Sequence, residues 1–210
     1  MGGSSHIPPA HFSSLTPLYD LFCALIGLGK PFRREILRHL AAEPDERVID
    51  AGCGTGELLR LLESSSVSIK AVGADPDGKA LALARRKLES VGRDVEWVQA
   101  SMSRLPFPEA SFDAAVSTLA FHHIPAEDRL ASLREVLRVL KPGGRFVLCD
   151  LVPDAPSAAA RLAFRLLSLL EPLQDNARLA GMLAEAGFSE VSLIGRYRGI
   201  IGYFQGRKRN

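Results

Sequence analysis

Cysteine is scarce in this 210-residue chain, and Cys23, Cys53 and Cys149 are odd in number, far apart and without a CxxC pair. That spacing gives neither a disulfide framework nor a zinc pattern, so no metal is expected and a reducing, cytoplasmic setting fits. Excess charge is missing too: the net charge is +2 with both signs interspersed. No electrostatic footprint for duplex nucleic acid results, and no nucleic-acid partner is expected. The one basic run, the closing GRKRN, reads as a solvated tail. No uninterrupted apolar run of about twenty residues occurs, which excludes a standard transmembrane helix. The opening MGGSSHIPPAHFSS has no charged segment leading into an apolar one, so it does not read as a signal peptide. Internal repeats and low-complexity tracts are absent.

What is present is an apolar fraction of 47%, enough for one ordinary domain with a full core. Its organising stretch is VIDAGCGTG, Val48 to Gly56, a short apolar strand running into a glycine turn and then into the helical pattern ELLRLLES. Strands are expected at SIKAVGAD, VEWVQ, FDAAVST and RFVLCDL. Between them lie the helical patterns ALALARRKLESV, with Pro76 as its first helical position and Asp77 at the positive end of its dipole, and EDRLASLREVLRVL, closed by KPGG. Strands joined by helical crossovers form a parallel sheet covered on both faces, an α/β doubly wound arrangement. The helix ARLAGMLAEAGF and the strands EVSLIG and GIIGYFQ follow, and the short link between those strands demands an antiparallel hairpin. Ahead of the sheet, PLYDLFCALIGLGKPFRREILRHL reads as two helices broken between Gly27 and Pro31. The expected plan is one domain over 1–210: a flexible 1–16, a helical cover over 17–40, a cofactor-binding core over 48–151, an amphipathic helix over 156–173, and a last helix and hairpin over 176–206. The amphipathic stretch is compatible with a packing helix, a lid or a membrane-surface contact.

Ligands of open α/β sheets bind at the carboxyl ends of the strands. There the sequence places Asp50 and the glycines Gly52, Gly54 and Gly56, whose missing side chains let backbone approach a ligand. By itself this spacing also describes a tight turn that binds nothing. Asp75 ends the second strand, where an acid can accept hydrogen bonds from both hydroxyls of a ribose or simply cap the next helix. His122 and His123 follow the fourth strand, where an imidazole could serve as a base or pack. Asp150 ends the fifth, as a second ionisable candidate or a loop cap.

The set VIDAGCGTG, VGADPDGKALALAR, VQASMSRLPFPEASFD, STLAFHHI and LREVLRVLKPGGRFVLCD resembles, in order and spacing, the class I S-adenosylmethionine-dependent methyltransferases over roughly Val48 to Leu151. More weakly, LTPLYDLFCALIGLGKPFRREIL and RGIIGYFQGRK look like the quinone-biosynthesis C-methyltransferases. The resemblance implies a Rossmann-like seven-stranded sheet, mostly parallel, with a C-terminal antiparallel hairpin. It also implies S-adenosylmethionine as cofactor and S-adenosylhomocysteine as product. Residue by residue, it puts Gly52, Cys53 and Gly54 beside the methionyl portion, Asp75 on the ribose, Pro76 against the adenine and Ser101 and Met102 on the ring's other side. Thr118 and Leu119 line the amino end, and Tyr19 reaches toward the cofactor. The catalytic candidates are His123, Tyr19 and Asp150, and the expected acceptor is a small, apolar molecule, methylated at a quinone-like carbon or at another small-molecule nucleophile. Ser101 departs from the Asp or Asn common in relatives. A nicotinamide-dependent oxidoreductase and a catalytically silent cofactor-binding regulator remain as alternatives, although GCGTG lacks the GxGxxG form of a pyrophosphate cradle.

Overall fold

The computed structural model describes residues 28–63, 67–89, 95–152 and 178–210. Tyr19 and the amphipathic stretch 156–173 therefore lie outside the described residues, as does the first of the two expected N-terminal helices. The chain begins with α1 (Lys30–Leu40), then alternates β1 (Arg47–Ala51), α2 (Glu57–Glu63), β2 (Lys70–Asp75), α3 (Gly78–Glu89), β3 (Glu96–Gln99) and β4 (Phe112–Thr118). A 3-10 turn (Phe121–His123) leads to α4 (Ala126–Val139), β5 (Leu140–Leu151), α5 (Leu179–Ala186), β6 (Ser189–Tyr197) and β7 (Ile201–Arg207). Among the described residues, no helix is long and apolar enough to cross a membrane.

The seven strands form one sheet in the order β3-β2-β1-β4-β5-β7-β6. The first five pair in parallel, and β7 pairs antiparallel with both β5 and β6, as the hairpin pattern requires. The order reverses between β1 and β4, which makes their carboxyl ends the switch point where a crevice opens.

Alternation along the strands builds two cores. Val48, Ala71, Ala114, Val116, Val147 and Cys149 pack with α1, α2 and α3. Ile49, Val72, Ala115, Phe146 and Leu148 face the side built with α4 and α5, through Leu133, Val136, Leu179 and Leu183. The same parity sends Asp50, Asp75 and Thr118 to the α1 side and Ser117 and Asp150 to the α4 side. Arg145, at the amino end of β5, ties α1 to the sheet by donating to the carbonyls of Leu40 and Ala41 and pairing with Glu46 at 2.6 Å. The carboxyl end of α1 thus sits at the bottom of the sheet and its amino end rises toward the crevice.

Three local expectations are corrected. The helix after β2 starts at Gly78 instead of Pro76, because both carbonyls that would open it earlier are engaged: that of Asp75 accepts the Ala100 N–H and that of Pro76 accepts from Gln99. Asp77 does cap the helix, its Oδ1 accepting the Lys79 N–H at 2.8 Å. KPGG does not separate helix from strand but belongs to β5, as a bulge between the Phe112–Leu140 and Ala114–Arg145 pairs. Its glycines pair with the end of the chain, the Gly143 N–H donating to the Lys208 carbonyl and the Lys208 N–H to that of Gly144. The closing basic run is correspondingly not simply a solvated tail: Lys208 Nζ donates to the Leu140 and Arg138 carbonyls that end α4, and Arg207 donates to that of Gly143.

One packing detail supports the crevice from below. The Trp97 ring lies across Gly73 of β2 and reaches Gly56, so that a methyl at Gly73 would stand 2.5 Å from the ring. Replacing Gly73→Ala is expected to destabilise the protein by about 1–3 kcal/mol through overpacking. Denaturant unfolding followed by the fluorescence of Trp97, the sole tryptophan, reads both the loss and the altered ring environment.

Candidate functional site

The turn after β1 is a left-handed staircase: Gly52, Gly54 and Gly56 have φ of +83°, +52° and +75°. The three glycines serve different ends. A side chain at Gly52 would collide with the Ala120 methyl, and one at Gly56 would stand 2.9 Å from Ala84 and Trp97. At Gly54 an added Cβ would meet nothing within 4 Å among the described residues. Packing within the described residues therefore closes the loop at its two ends and leaves its middle open.

Asp75 holds this loop in place. Its Oδ2 accepts the Gly54 N–H and its Oδ1 the Asp77 N–H, each at 2.8 Å. The Gly52 and Cys53 N–H groups both converge on the Ala74 carbonyl. A carboxylate has about four acceptor directions, so capping the next helix entry and bonding the glycine loop are compatible with accepting from a ligand. The two sequence readings of Asp75, helix cap and ligand acceptor, are geometrically compatible.

Asp50 is different. It is 2% exposed, and its Oδ1 is buried without a hydrogen-bond partner. Burial, with the neighbouring charge of Asp75, pushes its carboxyl up to about 7, offset in part by Arg33. Arg33, in the first turn of α1, was not among the sequence candidates. A signal existed, since that turn carries no acidic residue and no side-chain cap, but only the tertiary structure places it near Asp50. Its guanidinium donates to the Leu28 carbonyl.

The remaining predicted residues ring the same edge. Met102 is buried, its methyl 3.9 Å from where a Gly52 side chain would stand. Ser101 is exposed and its hydroxyl engages Ser103, both side chain and N–H. Thr118 ends β4 with its hydroxyl buried and unpartnered, and Leu119 follows with φ +52°, a left-handed conformation unusual for its type. Pro76 sits half-buried beside Gln99. The Cys53 thiol is pushed up by burial and by Asp50 and Asp75, which suits a packing residue.

Asp150 and the two histidines form a second group. The Asp150 carboxylate is fully buried and accepts His122 Nδ1 at 2.7 Å, the His122 N–H at 3.0 Å and the Leu151 N–H at 2.7 Å. Burial would raise its pKa, but His122 and these N–H donors outweigh that and hold it below the ordinary value. His123 packs against His122 with ring centres 3.9 Å apart and the rings tilted by 46°. Thus the structure joins Asp150 directly to His122, with His123 beside that ring.

A family model described as a methyltransferase domain matches residues 49–148. The chain is 36% identical over 156 residues to the demethylmenaquinone methyltransferase of Thermus thermophilus, covering 73% of this chain and 70% of that protein. It is 30% identical over 225 residues to the ubiquinone/menaquinone biosynthesis C-methyltransferase UbiE of Vibrio vulnificus, covering 94% and 85% respectively. In fold it is similar to a SAM-dependent methyltransferase of Aquifex aeolicus, with a TM-score of 0.67, 18% identity and coverage of 84% of this chain and 89% of that one.

The raised Asp50 carboxyl has a measurable consequence. Between its ordinary value of 3.8 and about 7, the folded protein keeps a proton that the unfolded chain releases. Stability of the ligand-free protein therefore falls as pH rises through this window, by up to about 1.4 kcal/mol per pH unit. Asp50→Asn removes the effect. In paired thermal melts the variant is expected to gain on wild type from about pH 4 to about pH 7 and to keep a constant margin above.

Proposed function

Because the chain belongs to the class I S-adenosylmethionine-dependent methyltransferases and is related to the demethylmenaquinone and ubiquinone/menaquinone enzymes, we propose that it methylates a ring carbon of a small, apolar quinol. The cofactor is S-adenosylmethionine, which supplies an electrophilic methyl on a sulfonium. The observation that carries the site assignment is the open space at Gly54, framed by the Asp75-bound loop and the unpartnered Asp50. The residues present fit such a ligand: an α-amino acid end requires one anion and one cation, and Asp50 and Arg33 provide that pair.

In this reading Gly52, Cys53, Gly54 and Gly56 give backbone to the methionyl portion, with Asp50 toward its ammonium and Arg33 toward its carboxylate. Asp75 takes the ribose hydroxyls, Pro76 and Met102 flank the adenine with Ser101 at its rim, and Thr118 and Leu119 line the amino end. Tyr19 keeps the place that the family resemblance gives it. The chemistry asked of the protein is mainly alignment of the nucleophile with sulfur and methyl. A site with little water favours the charge-dispersed transition state, and the buried edges of Met102 and Phe121 contribute to that dryness.

Calorimetric titration with S-adenosylhomocysteine, 5′-methylthioadenosine and NADH tests this assignment. Arg33→Ala is expected to weaken S-adenosylhomocysteine by about tenfold, the worth of a charge-assisted hydrogen bond. It should leave methylthioadenosine, which has no amino acid end, unchanged. Asp75→Ala should weaken both. Equal losses for both ligands in Arg33→Ala would remove Arg33 from the methionyl site, and tighter binding of NADH would overturn the cofactor assignment. Product release assayed with a naphthalene-1,4-diol, against amine and thiol acceptors, tests the acceptor class.

A further inference from the structure

Among the described residues, no donor serves the inner oxygen of Asp50, since Oδ1 is buried without a hydrogen-bond partner. On the other face of the sheet Asp150 accepts from the His122 ring and from two N–H groups. Strand register explains the difference. Asp50 pairs with Gly73 of β2 and Val116 of β4. Asp75 and Thr118, each two residues further along, therefore end their strands on the same face, one step above Asp50 and on either side of it. Neither supplies a donor. The Asp75 oxygens accept the Gly54 and Asp77 N–H groups, and the Thr118 hydroxyl is itself buried and unpartnered.

Charge does reach Asp50. Burial is the largest cause of its raised carboxyl, Asp75 adds to the rise and Arg33 of α1 opposes it, leaving it at about 7. The effect runs the other way as well: the Cys53 thiol, inside the glycine turn, is pushed up by burial and by Asp50 and Asp75. Asp75 from β2, Arg33 from α1 and Cys53 from the turn are the charged or titratable groups facing Asp50 within the described residues, and the Thr118 hydroxyl of β4 does not titrate. The field of Asp50 thus extends into the loop assigned above to the cofactor. A charge held there acts on Asp50 through space, without contact and without Asp50 opening to the crevice.

Resting on the cofactor reading above, we propose that the primary ammonium of the cofactor's amino acid end drives a proton out of Asp50, so that affinity for the methyl donor rises with pH. An opposite charge within about 4–6 Å lowers a carboxyl by about 1–3 pH units. The exchange balances in atoms and charge. The Asp50 O–H bond breaks, its electron pair stays on oxygen, its proton passes to solvent, and the ammonium enters unchanged as the counter-cation. S-adenosylmethionine and S-adenosylhomocysteine share this end, so donor and product obey the same linkage. Above about 7 the empty site is already ionised and binding releases nothing. Below that value each binding event must expel the proton, and affinity falls as pH falls.

The test is calorimetric titration of the full chain at about pH 6.5 in phosphate and in imidazole buffer, whose unequal heats of protonation report the protons exchanged. With S-adenosylhomocysteine about 0.7 proton is expected to leave per ligand bound, falling to about zero at about pH 8.5. Its Kd should rise by about tenfold or more from about pH 7.5 to about pH 5.5. 5′-Methylthioadenosine, which lacks the ammonium, should release none. Asp50→Asn, a permanently neutral mimic of the protonated acid, should bind S-adenosylhomocysteine weakly at all these pH values and release none. Independently of that variant, the wild-type Asp50 carboxyl followed by carbon NMR should titrate near about 7 when the site is empty, and at least about one pH unit lower with S-adenosylhomocysteine bound. S-adenosylhomocysteine binding with no proton released, with equal release by methylthioadenosine, or with release kept in Asp50→Asn overturns the linkage and leaves the cofactor assignment standing. An Asp50 resonance unmoved by the ligand does the same. No binding of S-adenosylhomocysteine at any pH overturns the assignment itself, and the linkage with it.

Discussion

The Asp75 carboxylate is the constraint on which the crevice depends. It stands at the end of β2, yet one oxygen receives the N–H of Gly54, from the turn after β1, and the other receives that of Asp77, from the entry to α3. Two adjacent βα turns are thereby fastened to one anion. The left-handed glycines make this possible, since only a residue without Cβ adopts those angles at little cost. Gly52 and Gly56 are occluded by Ala120, Ala84 and Trp97, while Gly54 is not. The loop is thus rigid where it meets protein and bare where it meets the crevice.

Around that anion, charge is divided by strand parity. Asp50, Asp75 and Arg33 gather on the α1 side, and Asp150, His122 and Arg129 on the α4 side. Two acids so close on one side raise the carboxyl of Asp50, with burial the larger cause and Arg33 only a partial offset. On the other side the acid is fully supplied with donors, and its carboxyl is lowered. One carboxylate is thus left wanting a cation, the other already spent on fixing an imidazole.

Much of the fold was legible along the chain. Strand FDAAVST falls on β4 residue for residue, the helix before Gly187 ends there with that glycine in the left-handed region, and the final hairpin pairs antiparallel. Each depends on alternation, periodicity or turn chemistry acting within a few residues. The departures share another cause. KPGG joins β5 because the chain's last residues supply partners for Gly143 and Gly144, and Pro76 stays outside its helix because Asp75 and Gln99 engage its surroundings. Local pattern has no access to partners that arrive from elsewhere in the chain.

The same division holds at the site. Sequence alone determined the glycine turn, the acids at the strand ends and, through their order and spacing, a likeness to the methyltransferases that the comparisons bear out. Those features are short-range, being chain geometry and residue type at an element boundary. Only the tertiary structure decided which groups meet. It set Arg33 toward Asp50, gave Asp75 to the glycine loop, and joined His122 to Asp150 across 28 residues. The reason is that strand order and side-chain parity are properties of the assembled sheet: which face an acid enters, and which neighbour waits there, is fixed only when β4 takes its place beside β1.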